Sequence, residues 1–200
     1  MTDLFEEKAK NWDANEHRKK MSLAIGGSIL HNVSLNDKMH VMDFGAGTGL
    51  IASQIAPHVE KVTAVDVSEA MLNKLMSKIE LKGKVEVCCQ DITLNPLGFQ
   101  CDLIVSAMAM HHVEDTENLV LQFSKHLKPG GGVALADLDA EDGGFHNPPS
   151  EGVFHNGFER ELLGNIFKRN GFTNVRFVTA HTAIRENGEY PIFLLLADKT

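Results

Sequence analysis

Apolar residues follow two spacings along the chain, and each spacing predicts one kind of element. Short apolar runs rich in β-branched residues predict seven strands, at 41–42, 59–67, 85–90, 101–106, 133–138, 174–183 and 190–197. Apolar residues that recur every three or four positions predict helices at 51–56, 68–81, 115–127 and 158–170. Because Asn187-Gly188 separates the last two strands, we expect these strands to form an antiparallel hairpin.

Two segments depart from this alternation. Residues 3–31 carry apolar residues at helical spacing on both sides of a break near 11–15, which predicts two helices. Residues 139–158 replace periodic order with Gly, Pro and aromatic residues. A long irregular segment at the end of a strand is often a functional lid, so we expect one here.

The most informative stretch is V-M-D-F-G-A-G-T-G-L at 41–50. It predicts a buried strand that ends in a tight glycine turn and continues into a helix. Glycines suit such a turn where a ligand approaches the backbone closely or where φ is positive. A dinucleotide-binding turn, G-x-G-x-x-G, would need its third glycine at position 50, where the chain has Leu50. This spacing argues against NAD as the ligand.

The same stretch resembles the first motif of the class I S-adenosylmethionine-dependent methyltransferases, which is an acidic residue, one further residue and then G-x-G-x-G. The matching residues are Asp43, Gly45, Ala46, Gly47, Thr48 and Gly49. The resemblance implies that the turn passes under the methionine moiety and ribose of S-adenosyl-L-methionine. It also implies that the acidic residue helps to orient the turn and the amino group of this cofactor.

Further positions match the same family in the same order. Asp66 ends the second predicted strand 21 residues after Gly45, and the resemblance implies that its carboxylate accepts hydrogen bonds from the ribose hydroxyls. The resemblance assigns the other cofactor-contacting positions to Trp12, Val67, Met71, Gln90, Asp91, Ile92, Ser106 and Ala107. Three assignments keep a structural alternative: Trp12 and Met71 could pack in the core, and Asp66 could cap a helix, although Ser68 is the better cap.

The resemblance also implies a fold. L-K-P-G-G at 127–131 is another signature of the family and predicts a tight reversal before the fifth strand. The implied architecture is a Rossmann-like, doubly wound α/β fold. Its seven-stranded mixed sheet has the order 3-2-1-4-5-7-6, with the last strand antiparallel and helices on both faces. We therefore divide a single domain into a helical cap (1–36), a cofactor-binding core (37–138), a lid (139–158) and a C-terminal helix with a hairpin (159–200).

Composition and charge limit the classes of partner that the protein could bind. The formal net charge of −8 argues against a nucleic-acid partner, and the densest basic group, H-R-K-K at 17–20, is too short to form a binding patch. No run of 18 apolar residues is present, so we expect no membrane partner. Three cysteines, two of them adjacent, do not make a disulfide framework and favour a reducing cytoplasm. We expect a monomer or a homodimer.

On the acceptor side, histidines carry the candidate chemistry. Methyl transfer needs alignment and exclusion of water, and it needs a base only if the nucleophile must lose a proton. His111 and His112 are the candidate bases, because histidine titrates near neutral pH, although either could instead be structural. Candidate acceptor-contacting residues are Met108, His111, His146 and His155. No metal-ligand spacing such as H-E-x-x-H is present, and we expect no metal.

We therefore predict a cytoplasmic S-adenosyl-L-methionine-dependent methyltransferase that acts on a small-molecule acceptor and releases S-adenosyl-L-homocysteine. Two alternatives stay open. One is an enzyme of the same fold that acts on a protein or a nucleic acid. The other is a non-catalytic protein that binds the cofactor, because the motifs serve binding rather than chemistry.

Overall fold

The computed structural model describes residue 3, residues 5–146 and residues 151–200. Over these ranges the chain forms one sheet, with strands β1 (His40–Phe44), β2 (Lys61–Asp66), β3 (Val85–Cys89), β4 (Cys101–Ala107), β5 (Leu127–Leu138), β6 (Phe172–Arg185) and β7 (Gly188–Lys199). The α-helices are α1 (Glu6–Ala9), α2 (Glu16–Asn32), α3 (Ala52–Ile55), α4 (Glu69–Met76), α5 (Thr116–His126) and α6 (Arg160–Arg169). Within the described ranges, none of the helices has both the length and the apolarity needed to cross a membrane.

The sheet has the order β3-β2-β1-β4-β5-β7-β6, which confirms the predicted topology. Strands β1 to β5 pair in parallel, whereas β7 lies antiparallel between β5 and β6. The winding of the sheet reverses at β1, which has β2 on one side and β4 on the other. Open parallel sheets bind ligands beyond the carboxyl ends of the strands at such a reversal. The glycine turn that follows β1 therefore lies where this architecture binds ligands.

Each face of the sheet carries its own hydrophobic core, because successive strand residues point to opposite faces. Val41 packs in the core that α2, α3 and α4 cover, and Met42 packs in the core that α5 and α6 cover. Both side chains are fully buried. Burial of one such side chain contributes about 1.5–3 kcal/mol. Cores on both faces thus hold β1, and the turn that follows it, in the centre of the molecule.

Two elements differ from the sequence-based expectation. The predicted helix 68–81 is shorter as α4, and a 3₁₀ helix (Ile79–Leu81) completes it. The fifth strand is longer than predicted, because it begins at Leu127 and includes the L-K-P-G-G motif. The pairing register with β4 shifts between Cys101 and Leu103, and Gly130 has a φ of 77°. The predicted reversal therefore lies inside β5, between Leu127 and Gly132, and not before the strand.

Gly49 lies where the glycine turn leads into α3, and its neighbours leave no room for a side chain. Its φ is 82°, and a Cβ atom there would lie 2.7 Å from Cγ of Leu75 and 3.3 Å from Cδ1 of Leu81. We expect Gly49→Ala to lower the free energy of unfolding by about 2–4 kcal/mol, because left-handed backbone strain and overpacking add together. Urea unfolding measures the loss.

Gly83→Ala is the matched control for this substitution. Gly83 has a similar φ of 77°, but a Cβ atom there would meet no atom within 4 Å. We expect only the backbone strain, about 1–2 kcal/mol. Equal losses for the two variants would contradict the idea that the neighbouring leucines require a glycine at position 49.

Candidate active site

A cavity of about 890 Å³ opens beyond the carboxyl ends of β1, β2 and β4. Its walls come from the glycine turn, the N-terminal helices, the segment after β4 and parts of the irregular segment 139–158. Most of the sequence-predicted site residues line it: Trp12, Asp43, Gly45, Ala46, Gly47, Thr48, Asp66, Val67, Met71, Gln90, Asp91, Ala107, Met108, His111, His112 and His146. The structure thus brings the predicted cofactor residues and acceptor residues to one cavity.

Four predicted site residues do not line this cavity. Gly49 faces the leucines described above, and the side chain of Ile92 is fully buried in a core. The hydroxyl of Ser106 donates to the carbonyl of Phe44 at 2.8 Å. Nε2 of His155 lies 3.0 Å from the carbonyl oxygen of Val113 and 3.1 Å from that of Glu114. The His155 side chain thus holds the main chain after the 3₁₀ helix Met110–His112, outside the cavity.

The glycine turn has a backbone that few other residues could adopt. Gly45, Gly47 and Gly49 all have positive φ, at 65°, 54° and 82°. The amide of Gly45 donates to the carbonyl of Val65 at 2.8 Å, which attaches the turn to β2. A Cβ atom at Gly47 would meet no atom within 4 Å, so this glycine leaves space open beside the cavity. A ligand can therefore approach the backbone closely at Gly47.

Asp43 places an unsatisfied carboxyl oxygen at the cavity. The residue is 1% exposed, and its Oδ2 atom has no hydrogen-bond partner among the described residues. Burial raises the pKa of Asp43 to about 8, against a lowering by the amide of Ala52 and with a smaller raising by Asp66. A buried carboxyl without a partner is costly, and a cation in the cavity would satisfy it.

Asp66 connects the end of β2 to the glycine turn. One carboxylate oxygen accepts from the amide of Gly47 at 2.7 Å, and the other accepts from the amide of Ser68 at 2.9 Å. Burial raises the pKa of Asp66 although both amides lower it. Ser68 is the N-cap of α4, as predicted, because its hydroxyl accepts from the amide of Met71. The carboxylate of Asp66 has further lone pairs that can accept from hydroxyls of a ligand.

The N-terminal segment is attached to this end of the cavity by carboxylates. Asp13 accepts from the hydroxyl of Thr48 in the glycine turn at 2.5 Å and pairs with Lys78 at 3.0 Å. Asp3 accepts from the hydroxyl of Ser68 at 2.8 Å. Trp12 lies in the 3₁₀ helix Trp12–Ala14, at the predicted break between the N-terminal helices. These contacts hold the Trp12 side chain at the cavity wall.

On the predicted acceptor side of the cavity, His111 and Asp137 form a buried pair. Nδ1 of His111 lies 2.7 Å from Oδ1 of Asp137, and the His111 amide donates to Oδ2 at 3.2 Å. The His111 and Asp137 side chains are 2% and 0% exposed. Because a carboxylate only accepts, the proton of the neutral imidazole is on Nδ1 and Nε2 is free to accept. Nε2 is buried and has no partner among the described residues.

Asp137, which the sequence pattern did not identify, holds His111 at the cavity. It lies in β5 within the otherwise apolar run Val-Ala-Leu-Ala-Asp-Leu. A lone carboxylate at the carboxyl end of a buried strand was the available signal, since buried charges are nearly always paired. The parallel pairing of β4 with β5 places it beside the segment that carries His111.

The pKa of His111 is shifted in one direction, and the pKa values of His112 and His146 are shifted in the other. Burial lowers the pKa of His111, but the charge of Asp137 and the hydrogen bond to it outweigh burial, so the net pKa is raised. The same pairing outweighs burial at Asp137 and lowers the pKa of that carboxyl. Burial, together with the charge of His111, lowers the pKa of His112 and of His146 to about 4. His112 and His146 are therefore neutral at neutral pH.

The histidine rings form a contiguous group. The centroid of the His111 ring lies 4.2 Å from that of His112 and 5.0 Å from that of His146. Nδ1 of His112 bonds to the carbonyl of Gly152 at 2.7 Å, and Nε2 of His146 is buried without a partner in the described part of the chain. Over the same residues, no group of three or more His, Cys, Asp or Glu side chains is arranged to hold a metal ion.

Comparisons with known sequences point to one family. The family model described as a methyltransferase domain matches residues 41–131. An uncharacterized methyltransferase of Schizosaccharomyces pombe is 30% identical over 157 residues, which cover 70% of this chain and 55% of the relative. An uncharacterized methyltransferase of Geobacillus sp. (strain WCH70) is 28% identical over 190 residues, which cover 85% of this chain and 88% of the relative. The chain thus spans about half the length of the first relative and most of the second.

Solved structures agree in fold. The match to phosphoethanolamine N-methyltransferase 2 of Haemonchus contortus, in complex with phosphomonomethylethanolamine and S-adenosylhomocysteine, has a TM-score of 0.70 and 17% sequence identity. It covers 90% of this chain and 52% of that chain. At this identity the likeness shows that the two chains share a fold.

The charge of Asp137 sets the pKa of His111, and Asp137→Asn tests this. Asn keeps the size and an accepting oxygen but removes the charge. In the parent protein we expect the pKa of His111 above its ordinary value of 6.5, and in the variant we expect it below, because burial then dominates. NMR titration of the imidazole resonances measures both values.

Asp139→Asn is the control for this measurement. Asp139 is also a paired carboxylate, but its partner is Arg160 at 2.7 Å, so this variant should leave the pKa of His111 unchanged. A pKa of His111 that stays above 6.5 in Asp137→Asn would contradict the assigned cause.

Proposed function

The chain belongs to the class I S-adenosylmethionine-dependent methyltransferases, and on that premise we propose that it methylates a small-molecule acceptor with His111 as the base. One observation carries the proposal. Nε2 of His111 is buried without a partner among the described residues, in the cavity that the glycine turn also lines. A base beside a cofactor site is what transfer to a protonated nucleophile requires.

Several groups of the cavity fit S-adenosyl-L-methionine. The unpartnered Oδ2 of Asp43 suits the ammonium group, the carboxylate of Asp66 suits the ribose hydroxyls, and the guanidinium of Arg18 suits the carboxylate. The open space beside Gly47 lets the cofactor approach the turn. When bound, this cofactor supplies an electrophilic methyl group on a sulfonium, and the product is S-adenosyl-L-homocysteine.

For the adenine, we propose contacts from the residues that follow β3. Gln90 and Asp91 line the cavity, as does Met71 from α4. Oδ1 of Asp91 accepts from both the amide and the hydroxyl of Thr93, at 2.8 and 2.6 Å, which orients the carboxylate. An oriented carboxylate can accept from an exocyclic amine. From the family resemblance we also expect the backbone N–H of Ile92 to contact a ring nitrogen of the adenine, and the backbone near Ser106 and Ala107 to hold the amino group of the cofactor.

The acceptor side supports a step in which the acceptor nucleophile loses a proton. His111, held by Asp137 through Nδ1, would take that proton on Nε2. His112 and His146 have pKa values of about 4 and do not compete for the proton near neutral pH. The rings of His112 and Phe5 meet edge to face at 5.5 Å, so the N-terminal segment would help to exclude water from this side.

Size and charge support a small molecule as the acceptor. The cavity of about 890 Å³ is comparable to pockets that hold small molecules and cofactors. The net charge of −8 disfavours a nucleic acid. A non-catalytic cofactor-binding protein would have no use for the unpartnered Nε2 of His111, which favours an enzyme. The cytoplasmic location and the monomeric or homodimeric state stay predictions.

His111→Gln tests the proposed base. In transfer of labelled methyl groups to a metabolite fraction that the parent protein methylates, we expect a loss of about 10²–10⁴-fold in turnover. The affinity for S-adenosyl-L-homocysteine, measured by calorimetry, should stay near that of the parent. Turnover of the parent should rise with pH through the pKa of His111, which lies above 6.5.

His58→Gln is the control, because His58 is exposed at the end of the 3₁₀ helix Ala56–His58, does not line the cavity and should be dispensable for turnover. Full turnover in His111→Gln would mean that the nucleophile needs no base. Failure of the parent protein to label any fraction, despite binding the cofactor, would favour the non-catalytic alternative.

Asp43→Asn tests the proposed ammonium contact. Because the pKa of Asp43 is about 8, its carboxyl is mostly protonated at neutral pH and must lose this proton to bind a cation. We expect the affinity of the parent for S-adenosyl-L-homocysteine to rise with pH through about 8 relative to that of the variant. The titration of the ligand itself is common to both proteins and cancels in this ratio. A ratio that does not change with pH would contradict the contact.

A further inference from the structure

Two guanidinium groups lie at the wall of the cavity. Arg18 and Arg185 both line it, and each guanidinium lies over an aromatic ring. Cζ of Arg18 lies 4.0 Å from the centroid of the Trp12 ring, and Cζ of Arg185 lies 3.8 Å from the centroid of the Phe145 ring. Within the described residues, neither guanidinium has a carboxylate oxygen within 4.0 Å. Two unpaired cations at one cavity are a binding feature for anions.

Arg185 is held at a fixed position relative to the base. One of its nitrogens donates to the carbonyl of Phe145 at 2.8 Å, and the Phe145 side chain is 4% exposed. The ring of Phe145 lies 4.9 Å from that of His146, which lies 5.0 Å from that of His111. A line of ring contacts thus leads from the guanidinium of Arg185 to the imidazole of His111. The remaining N–H groups of Arg185 are available at the cavity.

Within the described residues, neither Glu141 nor Asp142 forms a salt bridge with Arg185. Glu141 accepts from the amide of Phe145 at 3.0 Å, and Asp142 accepts from the amide of Gly144 at 3.2 Å. Asp137 pairs with His111. Burial and the positive charge of Arg185 both lower the pKa of Arg18, so the two cations repel each other. An anion between or beside them would relieve this repulsion.

We propose that the acceptor is itself an anion, whose carboxylate or phosphate group binds Arg185 while its nucleophilic group faces His111. This inference rests on the proposed function. The amino-acid end of the cofactor carries one carboxylate, which Arg18 can bind. The second guanidinium is therefore left for the acceptor. Arg185 is then a specificity-determining residue, because a neutral analogue of the acceptor would leave its charge unpaired.

The test measures binding of simple anions to the full chain by calorimetry. The probes are benzoate, its neutral analogue benzamide, and inorganic phosphate, each titrated with and without S-adenosyl-L-homocysteine. We expect benzoate or phosphate to bind the parent protein and benzamide to bind at least about tenfold more weakly than benzoate. Preference between benzoate and phosphate distinguishes a carboxylate-bearing from a phosphate-bearing acceptor.

Arg185→Gln should weaken binding of the preferred anion at least about tenfold while the affinity for S-adenosyl-L-homocysteine stays unchanged. Arg169→Gln is the matched control, because Arg169 pairs with Glu117 outside the cavity, and this variant should bind the anion like the parent. Equal anion affinity in Arg185→Gln and the parent, or no binding of either anion, would overturn the proposal. Failure to bind S-adenosyl-L-homocysteine would instead contradict the proposed function, and the titrations without it would still test Arg185.

Discussion

Burial of carboxylates at the carboxyl ends of parallel strands is the constraint on which this site depends. Asp43 is the fourth residue of β1, Asp66 ends β2, and Asp137 is the penultimate residue of β5. Such groups are costly to bury unless hydrogen bonds or charges compensate them. Asp66 obtains this compensation from main-chain amides of the glycine turn and of the start of α4, and Asp137 obtains it from His111. One Asp43 oxygen has no partner among the described residues, and burial raises the pKa of Asp43 to about 8, so a cation that binds there would displace a proton.

The same carboxylate chemistry holds the N-terminal segment over the cavity. Asp13 bonds to Thr48 in the glycine turn, and Asp3 bonds to Ser68 at the start of α4. A ligand that displaces the turn would therefore also displace the N-terminal segment, which carries Trp12 and Arg18 at the cavity wall. The cap and the turn form one connected structure.

The parts of the site that lie close together in sequence could be predicted, and those that depend on the relative placement of strands could not. The glycine turn is a local motif, and Asp66 follows from the end of a strand that the apolar pattern identifies. His111 and Asp137 are 26 residues apart and meet only because β4 and β5 are neighbours. Arg185 reaches the cavity from the far hairpin, whose orientation the sequence pattern does not determine. His155 lies in a segment without periodicity, so nothing in the sequence indicated that it faces main-chain carbonyls.

The pKa values of the adjacent residues His111 and His112 shift in opposite directions because of a single neighbour. His111 and His112 belong to the same 3₁₀ helix, and burial lowers the pKa of both. Only His111 meets a carboxylate, and that contact reverses the direction of its shift. A proton that reaches Nε2 of His111 would therefore stay there, since the surrounding imidazoles of His112 and His146 bind protons far more weakly. Protonation turns the pair from a buried negative charge into a neutral ion pair, so the low dielectric that makes Asp137 costly also favours transfer of a proton to its partner.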